Sequence, residues 1–368
     1  MTKERVKFID MVRGLTILCI AVYHSIAPGL LRTFIAGICS VMFFSFFFYS
    51  GYLYVPGKAG IGKNISGRTK GLLMPFLLYS VSFWAVGSVV LVLKGEESIT
   101  EALCCLRNFF AGSIWNRTIQ DFFGWEYYSL GKRYPFLAGF WFLPAMFFSS
   151  LLFIILREKI CKSVNSILIS TAAMLLVTGG LRGLSVSLPY NLQLVPFWTA
   201  IMFMGSAGRG WRIFERLRGM SAWLAGSLVS VVCIGLSVYF GLGTNLFRGE
   251  FDKPEAGTML FLFCLGNVSV WGISVLCRQI ENTGINVDKM AYLGSHSIYI
   301  YMYHYFIAWA ICMITGFSMR YDVDGITKDV LIGSFILAAV SIAGSILISV
   351  LFDRRHRESH CNTCESKL

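Results

Sequence analysis

KFIDMVRGLTILCIAVYHS, residues 7–25, is almost long enough by itself to cross a bilayer, yet it holds an acid, a base and an imidazole. A spanning helix needs about 20 mostly apolar residues. Ionisable side chains inside such a helix are costly, which makes Asp10, Arg13 and His24 candidates for function. At 100° per residue, the step from Arg13 to His24 closes three turns with ~20° to spare, so both side chains share one face, ~16 Å apart along the axis. Asp10 lies one turn before Arg13 and can pair with it on that face. The basic start MTKER followed by an apolar core resembles a signal peptide. No small-residue cleavage site follows and Arg13 interrupts the core, so a retained first helix is expected.

Working outward, similar apolar runs recur through the 368 residues. The chain is 56% hydrophobic and 14% charged, against roughly 25% charged residues in an ordinary soluble domain. The expected fold is an all-α integral membrane protein, a bundle of about ten transmembrane helices. Spans are expected near 9–27, 33–55, 72–93, 138–156, 164–181, 192–208, 222–240, 257–277, 291–314 and 329–352. Residues 1–353 then form one transmembrane domain and 354–368 a short tail. The long connection 94–137 mixes charges with Phe109, Trp115, Phe122, Trp125, Tyr127 and Tyr128, a composition suited to the membrane surface. Tyr52, Tyr54 and Trp309, near span ends, are expected in the interfacial aromatic belt.

The formal charge of +12 would point to nucleic acid in a soluble protein. Here its distribution sets the orientation instead. With the N-terminus inside, the cytoplasmic segments hold about two thirds of the 32 Lys and Arg, and the whole positive excess. The positive-inside rule therefore puts both termini in the cytoplasm. A basic inner face suits anionic lipid. Arg209, Arg212, Arg216 and Arg218 could also draw in a polyanionic cytosolic donor. Most of the eleven Cys lie in apolar runs and read as small hydrophobes rather than a disulfide framework. Cys361 and Cys364 follow His356 and His360 in the tail, but no metal site is expected there.

The ninth span, AYLGSHSIYIYMYHYFIAWA, repeats the polar stripe of the first. Ser297, Tyr301 and His304 stand at i, i+4 and i+7, on one helical face. If the two stripes meet, His24 and His304 line one cavity, and Tyr301 or Ser297 supplies the hydrogen bond that fixes a tautomer. Plainer roles compete for the same residues. A buried His can bond across a helix interface, and Arg13 can snorkel to headgroups.

These residues resemble the membrane-bound acyltransferase-3 family. The shared features are a basic start, Asp10, the Arg13-Gly14 pair and a His eleven positions after the Arg. MFFSFFFYSGYLY, GFWFLPAMFFSSLLF and YLGSHSIYIYMYHYF follow in family order. In the segment before the third span, Gly71 stands at the second of two basic positions with Lys70 beside it as a stand-in, and Arg68 carries that feature over directly. The resemblance implies a ten-helix domain that moves an acyl group, often acetyl, from cytosolic acyl-CoA to a carbohydrate hydroxyl in a bacterial plasma membrane. It implies that Asp10, Arg13 and His24 are catalytic. Arg68, Trp141, Ser297, Tyr301 and His304 are expected to bind substrate.

His24 would either take the acceptor's proton or carry the acyl group, since imidazole suits both. Arg13 would bind a donor phosphate or orient the site through Asp10. The donor, acetyl-CoA or another acyl-CoA, is a substrate, and no resident cofactor or metal is expected. The remaining partners are the carbohydrate acceptor and membrane lipid. The rival is a transporter or flippase for a glycan or small polar solute, since ten helices with buried His and Arg fit that equally well on physics alone.

Overall fold

A computed structural model describes residues 6–25, 30–110, 134, 137, 139–184, 188–216, 219–241, 256–316 and 328–365. Among them there are helices and turns and no strand, as the apolar runs predict: a helix closes all its backbone hydrogen bonds within its own segment. The chain is an all-α, multi-pass membrane bundle. Among the described residues, eight helical stretches are long and apolar enough to cross a bilayer. Two of the ten expected spans fall short of that standard. Phe142–Lys159 is 18 residues long and ends on Arg157, Glu158 and Lys159, and Val195–Gly210 has 16 residues. Residues 111–133 of the long connection, most of its aromatics among them, lie outside the described residues.

The helices group into two compact units, one made of residues 1–39 and 280–368, the other of residues 40–279. In the first unit α1 (Lys7–Ser25) packs against α12 (Asp288–Ser295), α13 (Ser297–Thr315) and α14 (Lys328–Glu365). The α1–α12 crossing is set by two glycines. A Cβ on Gly294 would overlap the Asp10 carbonyl, and one on Gly14 would overlap the Met290 carbonyl. Backbones approach this closely only where both faces are small. The expected span 291–314 is therefore not one helix. It breaks at His296, whose N–H is shared between the carbonyls of Tyr292 and Leu293, and α13 starts afresh at Ser297. Trp309 is buried on α13 beside Phe306 and not in an interfacial belt. The backbone of α14 stays helical to Glu365, past the expected end of the last span at 352.

In the second unit α3 (Phe44–Tyr52) crosses α9 (Val195–Gly210) on the same principle, with Gly51 against the Met202 carbonyl and Gly205 against that of Phe48. Helices α4 (Ile61–Arg68) and α5 (Met74–Leu93) are joined by a π turn at Thr69–Leu73. Pro75 has no N–H for the Gly71 carbonyl, and the π turn takes up the lost register at that point. Tyr54, expected in the belt, is buried instead. Its hydroxyl donates to Glu158 at 2.6 Å, while the Gly57 N–H donates to the same carboxylate at 2.9 Å. Helices α8 (Val164–Gly183) and α10 (Gly219–Tyr239) turn Ile169, Leu176, Leu224, Leu228 and Val231 outward, each more than 65% exposed. Apolar exteriors of this kind are unfavourable in water and natural against acyl chains.

Candidate active site

The polar stripe of the first unit lies along α1, an unbroken helix because nothing from Lys7 to Ser25 is Pro and the apolar residues have a protein partner on one side. Asp10 is buried and Arg13 reaches back to it, with Nη1 3.7 Å from Oδ1. Their level along the helix is fixed by the Gly294 contact with the Asp10 carbonyl. An exposed Lys7–Asp288 pair at 3.0 Å joins the starts of α1 and α12. Ion pairs in such exposed settings contribute little to stability, so the glycine crossing dominates the geometry.

Toward the other end of α1, the stripes do meet. The rings of His24 and His304 have centroids 5.5 Å apart, tilted by 41°. His304 is 2% exposed, and its Nδ1 lies 2.7 Å from the Ile300 carbonyl one turn earlier. A carbonyl oxygen can only accept, so Nδ1 carries the hydrogen and Nε2 holds a lone pair. The Ile300 carbonyl thus sets the tautomer, where Ser297 or Tyr301 had been expected to do so. Among the described residues, the buried Nε2 has no hydrogen-bond partner. The Tyr301 ring is 6.4 Å from that of His304, and Ser297 opens α13 on the same face, one turn before Tyr301.

Among the described residues, the partly exposed His24 is held by rings rather than by hydrogen bonds. Tyr305 stacks on it at 4.6 Å and 22°, and Tyr23 meets it edge-on at 5.2 Å. Arg32 lies over Tyr23, 5.1 Å from the ring centre. Sequence reasoning missed Tyr305 because a face count from His304 excludes its immediate neighbour.

Arg68 and Trp141 belong to the second unit. The Arg68 guanidinium donates to Ser50 Oγ at 2.9 Å, just before the π turn. Trp141 ends a 3-10 turn and joins an aromatic cluster with Phe43, Phe142 and Trp198. The indole N–H of the fully buried Trp198 has no acceptor among the described residues, a feature that composition alone could not reveal. Arg209, Arg212 and Arg216 are exposed in and after the last turn of α9, while Arg218 lies outside the described residues. The side chains of His356, His360, Cys361 and Cys364 also lie outside the described side chains.

A family model described as an acyltransferase domain, that of the acyltransferase-3 family, matches residues 6–354. The chain belongs to that family. No curated protein and no solved structure gives a match. The match spans both units and every candidate residue above, from Asp10 to His304. The acyltransferase-3 protein is thus a multi-pass membrane acyltransferase, and the expected all-α membrane fold and family stand.

Proposed function

We propose that this acyltransferase moves an acyl group, acetyl in the first instance, from cytosolic acyl-CoA to a hydroxyl of a cell-surface glycan or its lipid-linked precursor, at a bacterial plasma membrane. The observation that carries the proposal is the meeting of the two polar stripes, which sets the partly exposed His24 against His304 on the helix that also bears Asp10 and Arg13. A thioester already has a good leaving group, so the chemical demand falls on the acceptor hydroxyl. A neutral imidazole with an open nitrogen can take its proton as the oxygen attacks. Arg13, with its permanently charged planar fork, is suited to a donor phosphate, and Asp10 holds it in place. Arg209, Arg212 and Arg216 form an exposed basic segment that would raise the local concentration of a polyanionic donor. The excess of Lys and Arg in the segments assigned to the cytoplasm supports that orientation, with both termini inside.

The test is transfer from radiolabelled acetyl-CoA by the purified protein in proteoliposomes, with a cell-envelope glycan extract as acceptor and succinyl-CoA as the competing donor. Label in the glycan, with stoichiometric release of free CoA, is the expected result. Accumulation of a solute with no CoA release would overturn the assignment in favour of transport.

A further inference from the structure

Resting on that function, we propose that His304 is a positioning residue that stores a proton: it takes up, through His24, the proton released by the acceptor hydroxyl. Three observations lead there. The hydrogen on Nδ1 of His304 is committed to the Ile300 carbonyl, so Nε2 is an acceptor. That nitrogen is buried and has no donor among the described residues. The neighbouring ring that can supply an N–H is His24, with its centroid at 5.5 Å. No His24 nitrogen is bonded to it in this structure, and a small shift of the two rings brings the nitrogens to hydrogen-bond distance, about 3 Å, when the proton passes.

The division of labour follows from exposure. His24 is partly open and can meet a substrate, whereas His304 is 2% exposed and cannot. A base oriented by a third group is the general arrangement for activating a hydroxyl. Here the orienting group is itself an imidazole, a stronger proton acceptor than a backbone carbonyl and uncharged at rest. Tyr305 stacks on the His24 ring and Tyr23 meets it in a T-shaped contact, so two aromatic rings hold the imidazole beside His304.

The step balances without any further reactant. The acceptor O–H breaks and its proton goes to the open nitrogen of His24. The hydrogen on the other His24 nitrogen passes to Nε2 of His304, which becomes imidazolium while Nδ1–H stays on Ile300. The acceptor oxygen bonds to the acyl carbon, the C–S bond breaks, and the departing thiolate receives a proton back along the same path. The products are the ester and free CoA thiol, and both imidazoles return to neutral.

Steady-state transfer from acetyl-CoA by the full-length protein in proteoliposomes tests this with three variants. His304→Phe keeps the ring volume and removes the acceptor; kcat is expected to fall ~100-fold with KM for acetyl-CoA within about twofold of wild type. His304→Gln offers an oxygen that can orient His24 but cannot hold the proton, and is expected to fall in between. His304→Ala is expected to lose activity and to regain a substantial part of it with added imidazole, a response that a packing role would not give. Wild-type kcat in His304→Phe, absence of imidazole rescue in a folded His304→Ala, or loss of folded protein in all three variants would overturn the proposal. His24→Ala run alongside separates the two levels. If it is inactive while His304→Phe is unaffected, only the relay fails. If it is fully active, the role of His24 fails with it.

Discussion

Gly294 on α12 rests against the backbone carbonyl of Asp10 on α1, with no room for a Cβ between them. This contact fixes the distance between the helix that carries Asp10, Arg13 and His24 and the segment leading through His296 into α13, which carries His304. Gly294→Ala is expected to force the helices apart at a cost of roughly 1–3 kcal/mol, typical of overpacking. The melting temperature in detergent should fall, and acyl transfer should fall further than stability. Gly62, which has open space around it, is the control, and Gly62→Ala should be neutral. Equal behaviour of the two variants would show that the crossing is not tight.

Arg13→Lys keeps a positive charge but loses the planar fork. If the guanidinium binds a donor phosphate, KM for acetyl-CoA should rise several-fold while kcat changes little. Arg13→Ala should raise it further, since a charge-assisted bond contributes about 1.5–3 kcal/mol. A fall in kcat at constant KM would assign Arg13 to the chemical step instead.

Tyr305 stacks on His24. Tyr305→Phe preserves the ring and should retain kcat within about twofold, whereas Tyr305→Leu should lose roughly 2–10-fold, the equivalent of an aromatic pair. Comparable losses in both variants would move the function from the ring to the hydroxyl.

Glu158 receives the Tyr54 hydroxyl and the Gly57 N–H, in that order of weight, and these hold its carboxyl below the ordinary value of 4.5. A depressed carboxyl contributes stability above its unfolded pKa and loses it as pH falls through the folded one. The melting temperature should therefore drop as pH is lowered below about 4.5, and Glu158→Gln should flatten that part of the curve. The carboxylate is partly exposed, so a shallow slope is expected. An unchanged slope in the variant would mean that other carboxylates govern acid stability.

Much of this was legible from residue order alone. Apolar runs of about 20 residues mark most of the spans because the bilayer sets their length. The shared face of Asp10, Arg13 and His24 follows from helical period. The pairing of that face with His304 needed only the conjecture that two polar stripes seek each other, and the ring separation bears it out. The break at His296 was not legible. It contains no Pro, and it accompanies a close approach of Gly294 to α1, whose other side lies in a distant part of the chain. The same holds for Tyr54 and Trp309, whose burial is decided by Glu158 and by packing on α13 rather than by their place at the end of a run. Tautomer choice at His304 came from its own backbone, which no side-chain pattern announces.

The most direct test of His24 as the centre of acyl transfer is to measure label moved from radiolabelled acetyl-CoA to a cell-envelope glycan extract by wild type and by His24→Ala, matched for folded protein in proteoliposomes. The account predicts transfer by the wild type and a loss of at least ~100-fold in the variant. Transfer at the wild-type rate by His24→Ala would contradict it.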